Sequence, residues 1–356
     1  MTDFSQEEAY ILGCLYGRGS LEQEKIVLRF PHVAYDPIGR AIVRELLDRS
    51  EGLSLERLYD IPSVKRENIK NLGLKLGKLK NWHPPRVAAE SSLLEHKDNV
   101  WRINDIELAK EYLKWQEIYL ERERSWKDYV IKTLGNVSSF MASQINIFEK
   151  IDRFGHLNLI VECKIQPVVL HYLRNTYNID IGDIYLHNSL SDSTTIFESY
   201  DRLLKEHFVR GLADTIATID RYISKDKPAY RIQFSVINSN LRLPIDICLL
   251  LQKYLQIPVY YIGWAALPNE GKNKTYAGRG TRDHLVKVWV VNFEHRFNMP
   301  LFMNTAKQEE FLQTLDISRR CQISQDLLDF CPNRRRRTNY INICIRLGCR
   351  QVMNLC

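Results

Sequence analysis

Two short stretches decide how this chain is read. The first is Ile11-Leu12-Gly13-Cys14-Leu15-Tyr16-Gly17-Arg18-Gly19; the second is Val209-Arg210-Gly211-Leu212-Ala213-Asp214-Thr215-Ile216-Ala217. Each sets a glycine third in an otherwise apolar, helix-forming run. A glycine inside a helix costs about 1 kcal/mol relative to alanine, so its presence calls for a packing reason. Without a Cβ, two helix backbones can approach closely. The alternative is a pair of unrelated core helices that happen to contain glycine.

Working outward, the order of elements around the second stretch is clear. A helix spans residues 200–223, and Tyr230 to Ile237 alternates as a strand. Pro244 to Leu255 is a helix with proline in its first turn. Pro258 to Trp264 and His284 to Phe293 are strands, and Lys307 to Leu315 is a helix. The first stretch opens the same series, with a helix over 6–17, a strand at Lys25 to Phe30 and a helix from Pro37 to Asp48. That helix starts at Asp36-Pro37 and carries Ile38, Ile42, Val43, Leu46 and Leu47 on one side. The repetition suggests an internal duplication. Between the two, residues 53–82 read as two short helices and 105–133 as the longest helix, linking two halves. Residues 157–165 read as a buried strand and Asp183 to His187 as another.

The two glycine-bearing stretches resemble the LAGLIDADG family of homing endonucleases and their relatives, over about residues 6–50 and from about His207 to Leu315. The resemblance implies that the two motif helices pack together at the centre. Gly13, Gly17 and Gly211 would be the packing residues, and each helix would be followed by a curved antiparallel sheet that helps saddle DNA. The expected fold is α+β, with two pseudo-symmetric αββαββ-type halves. Gly13 and Gly211 lie 198 residues apart, more than such a chain usually needs. A large mixed α/β insertion between the halves is therefore expected. The expected divisions are 1–104 for the first half, 105–199 for a linker helix and central α/β region, 200–318 for the second half and 319–356 for a basic, Cys-rich tail.

The chain also departs from the family. The family's metal-binding acid is the eighth motif residue, and here those positions are Arg18 and Ile216, neither of which ligates a divalent cation. At the sixth position Asp214 keeps an acid, but its counterpart is Tyr16. The resemblance thus implies a DNA-binding surface and argues against the usual chemistry at the usual place.

A second place for cutting is suggested by Asp152, in EKIDRFGHLNLIVECK, followed by Glu162-Cys163-Lys164 at the end of an apolar run. This looks like the PD-(D/E)xK nuclease signature, in which two carboxylates hold Mg²⁺ against the scissile phosphate and a lysine positions water. Asp152 and Glu162 would be the metal ligands, with Lys164 beside them and Glu149 as an alternative upstream ligand. The plain alternative is a half-buried strand whose Glu162 and Lys164 point to water.

Positive charge is clustered. The chain of 356 residues has 50 Lys+Arg against 43 Asp+Glu, a formal charge of +7. Much of it lies in Lys65 to Lys80, in the Gly-containing segment Lys272 to Lys287, and in Arg334, Arg335, Arg336 and Arg337. Three such clusters fit a polyanionic partner, although each alone also fits a solvated loop. Phosphate contact falls to Lys272, Lys274, Arg279 and Arg282. Base contact falls to Arg231, Gln233, Ser235, Lys287 and Trp289, with the polar members of 230–236 alternating against Tyr230, Ile232, Phe234 and Val236.

Five of the eight cysteines lie in the last 36 residues, at Cys321, Cys331, Cys344, Cys349 and Cys356. Clustered thiols in a reducing compartment suggest zinc, though no CxxC knuckle is present and buried thiols are the alternative. No apolar run of membrane-spanning length, no signal-like N-terminus, no Walker loop, no dinucleotide fingerprint and no complete serine or cysteine hydrolase signature occurs. The expectation is a cytoplasmic or nucleoid-associated protein that binds double-stranded DNA sequence-specifically, as a Mg²⁺-dependent endonuclease of restriction or homing type. The alternatives are a catalytically inactive regulator or recognition subunit, and an RNA-binding splicing cofactor.

Overall fold

The computed structural model describes residues 4–31, 34–64, 72–84, 91–140, 142–151, 156–224, 227–237, 240, 242–259, 261–264, 284–294, 296–298 and 300–320. Helix α1 (Gln6–Arg18) begins at Ser5, whose hydroxyl accepts the Glu8 N–H at 3.0 Å; Glu7 and Glu8 complement the positive helix end. It leads into β1 (Gly19–Leu21), β2 (Lys25–Phe30) and α2 (Pro37–Leu47). In α2, Asp36 caps the Gly39 N–H at 2.8 Å and proline occupies the first turn, as the Asp-Pro pair predicts.

Next come β3 (Leu53–Ser54), α3 (Leu55–Leu58), α4 (Leu72–Lys80), β4 (Leu94–Lys97) and β5 (Val100–Ile103), then the long α5 (Ile106–Asn136). Strands β6 (Gln144–Ile151) and β7 (Leu157–Lys164) form a hairpin ahead of α6 (Pro167–Tyr177), β8 (Gly182–Asp183) and α7 (Ile184–His187). The second motif helix is α8 (Arg202–Ile216), capped by the Asp201 carboxylate on the Leu204 N–H at 2.8 Å. It is followed by β9 (Ala217–Ser224), β10 (Lys227–Val236), α9 (Leu243–Leu249), β11 (Tyr261–Trp264), β12 (His284–Trp289), α10 (Val291–Glu294) and α11 (Thr305–Arg320).

The class is α+β, with antiparallel strand pairing throughout the described sheets. One sheet has the order β6-β7-β2-β1-β8, the second β11-β12-β10-β9 and a small third β3-β5-β4. Setting the small sheet aside, each large sheet runs third, fourth, second, first strand after its motif helix, and the first adds β8 at its edge. The inner faces of both large sheets meet α1 and α8 in one core, to which Leu28, Val161 and Cys163 contribute from one sheet and Ile232, Phe234 and Val286 from the other.

Several sequence expectations are corrected, among them the helix expected over 200–223, which ends at Ile216 and gives way to β9. The region 105–199, expected as a linker helix and central α/β region, shares the first sheet, because β7 pairs with β2 from Lys25↔Lys164 to Phe30↔Leu159. A further lobe lies between α2 and α5. There β3, α3, α4, β4 and β5 enclose a second core that includes Ile42, Leu58, Leu76, Leu94 and Tyr112. Helix α5, about 46 Å long at 1.5 Å per residue, serves both cores: Ala109 and Tyr112 pack in the small lobe, while Trp126, Val130 and Leu134 pack in the main core. Asp183 to His187 is likewise not one strand. Only Gly182–Asp183 pairs with β1, and Ile184–His187 turns into α7, burying Ile184.

Candidate nucleic-acid interface

The α1–α8 contact is the most extensive between any two helices among the described residues. Its geometry is reciprocal. A Cβ on Gly13 would run into the Phe208 carbonyl oxygen and stand 3.0 Å from the Gly211 Cα. A Cβ on Gly211 would run into the Tyr10 carbonyl oxygen and stand 2.9 Å from the Gly13 Cα. Each glycine therefore abuts the carbonyl three residues before the other. One turn on, a Cβ at Gly17 would collide with the Thr215 side chain. Nothing larger than hydrogen fits at Gly13 or Gly211 without moving backbone, so the costly helical glycines are explained by close approach.

The flanking side chains follow the same reciprocity. Tyr10, three before Gly13, donates its hydroxyl to Asp214, three after Gly211, at 2.7 Å. Phe208, three before Gly211, meets Tyr16, three after Gly13, with ring centroids 5.7 Å apart. Five residues before each glycine stands a buried glutamate. Glu8 accepts hydroxyl protons from Ser139, Tyr172 and Tyr177, and Glu206 pairs with Arg202 at 3.1 Å and accepts the Asn298 N–H at 3.2 Å. Sequence reasoning missed both glutamates, although the common spacing Glu-x4-Gly is visible once the glycines are aligned.

At the C-terminal ends of these helices the electrostatics run against a metal site. Arg18 is half-buried, with its Nε hidden and without a hydrogen bond, and Ile216 is buried. Asp214 is enclosed by its own partners, taking the Tyr10 hydroxyl and the Asn304 backbone N–H at 3.2 Å to each oxygen. Burial raises its pKa to about 6, against the pull of nearby Lys307. Lys307, a residue the sequence did not single out, donates to the carbonyls of Asp214 (2.7 Å), Ala217 (3.2 Å) and Ala213 (3.4 Å). It neutralises the negative end of α8, while burial depresses its own pKa to about 8. With one engaged carboxylate and two cations, these residues do not fit Mg²⁺.

The central Glu162 site changes meaning once the register is known. In β7, Leu157, Leu159, Val161 and Cys163 are buried, while Asn158, Ile160, Glu162 and Lys164 point away from the core. Glu162 stands between Asn146 of β6 and Val27 of β2, and is held by the Lys25 ammonium at 3.2 Å. Glu149 pairs opposite the buried Leu159, on the other face, where Lys127 of α5 reaches it. It therefore cannot share a metal with Glu162. Asp152 lies outside the described residues. Its neighbour Ile151 pairs with Leu157, five residues along β7 from Glu162 and so about 17 Å away at strand rise. The described residues contain no group of three metal-ligating side chains that could hold an ion.

What the outward faces do offer is rows of polar and charged side chains. On the first sheet, rows in register are Gln144–Lys164–Lys25, Asn146–Glu162–Val27 and Phe148–Ile160–Arg29, followed by Lys150–Asn158. Phe148 is 49% exposed. On the second, Arg231, Gln233 and Ser235 turn away from the core that takes Ile232, Phe234 and Val236. Gln233 pairs with Lys287 and with Thr218, and Arg231 pairs with Trp289 and with Asp220. Asp220, also missed in the sequence, accepts from Arg231 at 2.7 Å and Lys287 at 3.0 Å. Trp289 is only 1% exposed and lies beneath the Arg231 guanidinium at 5.9 Å, so it is unsuited to direct base contact.

Lys272, Lys274, Arg279, Arg282, Arg334, Arg335, Arg336 and Arg337, with the five C-terminal cysteines and their suggested zinc, lie outside the described residues. The three described cysteines, Cys14, Cys163 and Cys248, are buried thiols on α1, β7 and α9. No helix among the described residues is long and apolar enough to cross a membrane. Compared with known proteins, the chain matches no protein-family model and no curated protein.

Proposed function

We propose that the two large sheets are pseudo-symmetric halves of a LAGLIDADG-like saddle, and that the protein binds double-stranded DNA sequence-specifically without cutting it at the helix ends. The observation that carries this reading is the reciprocal contact of Gly13 and Gly211. It joins two motif helices whose following strands run in the same order in both sheets. In such a saddle the outward side chains of β6, β7, β2, β9, β10 and β12 line the groove. Gln144, Asn146 and Gln233 are suited to adenine edges, Arg231 and Lys287 to guanine edges, and the exposed Phe148 ring to a thymine methyl. Lys25, Lys164 and Lys150 supply charge for phosphates.

The loss of acids at positions 18 and 216, together with the enclosure of Asp214, supports recognition rather than hydrolysis. A regulator or the recognition subunit of a larger assembly is the role this reading assigns. The test is selection from a random-sequence duplex pool in the presence of Mg²⁺. The expected result is enrichment of one asymmetric site that is recovered uncut. Recovery of nicked or cleaved product, abolished by Glu162→Ala, would instead establish the central endonuclease reading. Preferential capture of single-stranded RNA over duplex DNA would overturn the proposal.

A further inference from the structure

Outside the sheet faces, a cleft of about 440 Å³ with a chemically mixed wall lies between the small lobe, α5 and α11. This is the size of pocket that takes a small organic molecule. Its walls are rich in aromatic rings, among them Trp82, Trp115 and Tyr119. Trp82 is wedged edge-on against Tyr112 (4.9 Å between centroids), and Trp115 leans on Tyr119 (5.6 Å), so the rings are held in place by neighbours. Most of the charged groups here are already matched. Lys75 pairs with Asp36 at 2.6 Å, and Arg122 pairs with Glu309. Two polar groups in the wall, the Tyr119 hydroxyl and the Glu310 carboxylate, make no hydrogen bond or close ion pair among the described residues, while Lys307 offsets part of the burial that raises the Glu310 pKa. At the rim Lys78 approaches His156 at 2.8 Å.

From this arrangement we infer a binding site for a purine nucleotide, guanine above adenine. Flat indole and phenol faces favour a flat heteroaromatic ring. A carboxylate without a hydrogen-bond donor favours a ring edge that donates, and the guanine edge presents two adjacent N–H donors to one carboxylate where adenine presents a single amino group. Lys78 supplies a cation at the mouth for the phosphate. A small organic cation fits less well, because Lys75, Lys78 and Arg122 share the recess. The inference is independent of the DNA reading, since the cleft is built from the small lobe and α11 rather than from the outward sheet faces.

The experiment is a titration of the full chain with GMP, AMP and CMP, followed by tryptophan fluorescence. Saturable quenching is expected for GMP, weaker for AMP and weakest for CMP, and Trp115→Phe should remove most of the signal. Glu310→Gln, which keeps the side-chain shape and removes the charge, should weaken GMP about tenfold or more and leave AMP nearly unchanged. Duplex DNA binding should be unaltered by the same substitution. Absence of saturable quenching by either purine nucleotide at millimolar concentration, or GMP binding unchanged in Glu310→Gln, overturns the assignment.

Discussion

The Tyr10 hydroxyl and the Asp214 carboxylate meet at 2.7 Å across the α1–α8 interface, while the residues equivalent to them, Phe208 and Tyr16, meet as two rings. Two positions at the same offsets from Gly13 and Gly211 are thus joined by a polar contact on one side and an aromatic one on the other. Burial of Asp214 at this contact raises its pKa, with the Tyr10 hydrogen bond and Lys307 acting in the opposite sense. Asp214 is raised to about 6 from its ordinary value of 3.8, so the folded chain holds a proton that the unfolded chain releases. The stabilisation is fully present below pH 3.8 and is lost as pH rises through 6. Chemical denaturation of the wild type and Asp214→Asn between pH 4 and 7 should differ in slope. The wild type should lose on the order of 2–3 kcal/mol more than the variant across that window. Parallel curves would show that Asp214 ionises normally.

Glycine substitutions separate close approach from simple helix propensity. Gly13→Ala and Gly211→Ala should each destabilise by about 2 kcal/mol or more, because the new methyl meets a backbone carbonyl that cannot rotate away. Gly135→Ala, in α5 with open space around it, should stabilise by about 0.5–1 kcal/mol. Urea midpoints for the three variants check this, and equal midpoints for Gly13→Ala and Gly135→Ala would refute the close packing.

Lys307 does two jobs at the end of α8, capping carbonyls and offsetting the Asp214 charge. Lys307→Met should cost about 3 kcal/mol at pH 7, since it leaves a buried carboxylate uncompensated. Adding Asp214→Asn should recover part of that loss. A double variant no more stable than Lys307→Met would mean that the two groups are uncoupled, and denaturant titration of all four proteins reads the cycle.

On the sheet faces, charge and specificity should divide. Lys164 makes no ion pair among the described residues, so Lys164→Ala should weaken binding to all duplexes alike and reduce the salt dependence by about one phosphate contact. Gln233→Ala, beside Lys287 and Thr218, should relax preference at a base pair and leave the salt slope unchanged. Binding isotherms on a preferred and a scrambled duplex distinguish the two.

How far the sequence carried this picture varies with the range of the forces involved. The helix pair was legible because a buried helical glycine has few explanations. The alternation of Arg231, Gln233 and Ser235 against Ile232 and Phe234 was legible because strand period is local. The placement of β7 was not: Lys164 pairs with Lys25, 139 positions earlier in the chain, and nothing local announces such a partner. This is why Glu162-Cys163-Lys164 read as the end of an isolated nuclease strand rather than as the middle of the first sheet. Helix α5 looks like a linker in sequence, whereas its two ends serve two cores. Lys307 was invisible because a capping lysine has no signature beyond its distance from the helix it caps.

The most direct measurement of the central claim is fluorescence anisotropy of labelled duplex DNA with the full chain in EDTA, repeated over a range of salt. The saddle account predicts metal-independent binding whose logarithmic salt slope is steep, about −5 or beyond for six or more phosphate contacts, and intact DNA when Mg²⁺ is restored. Binding that is absent without a divalent ion, or insensitive to salt, would contradict it.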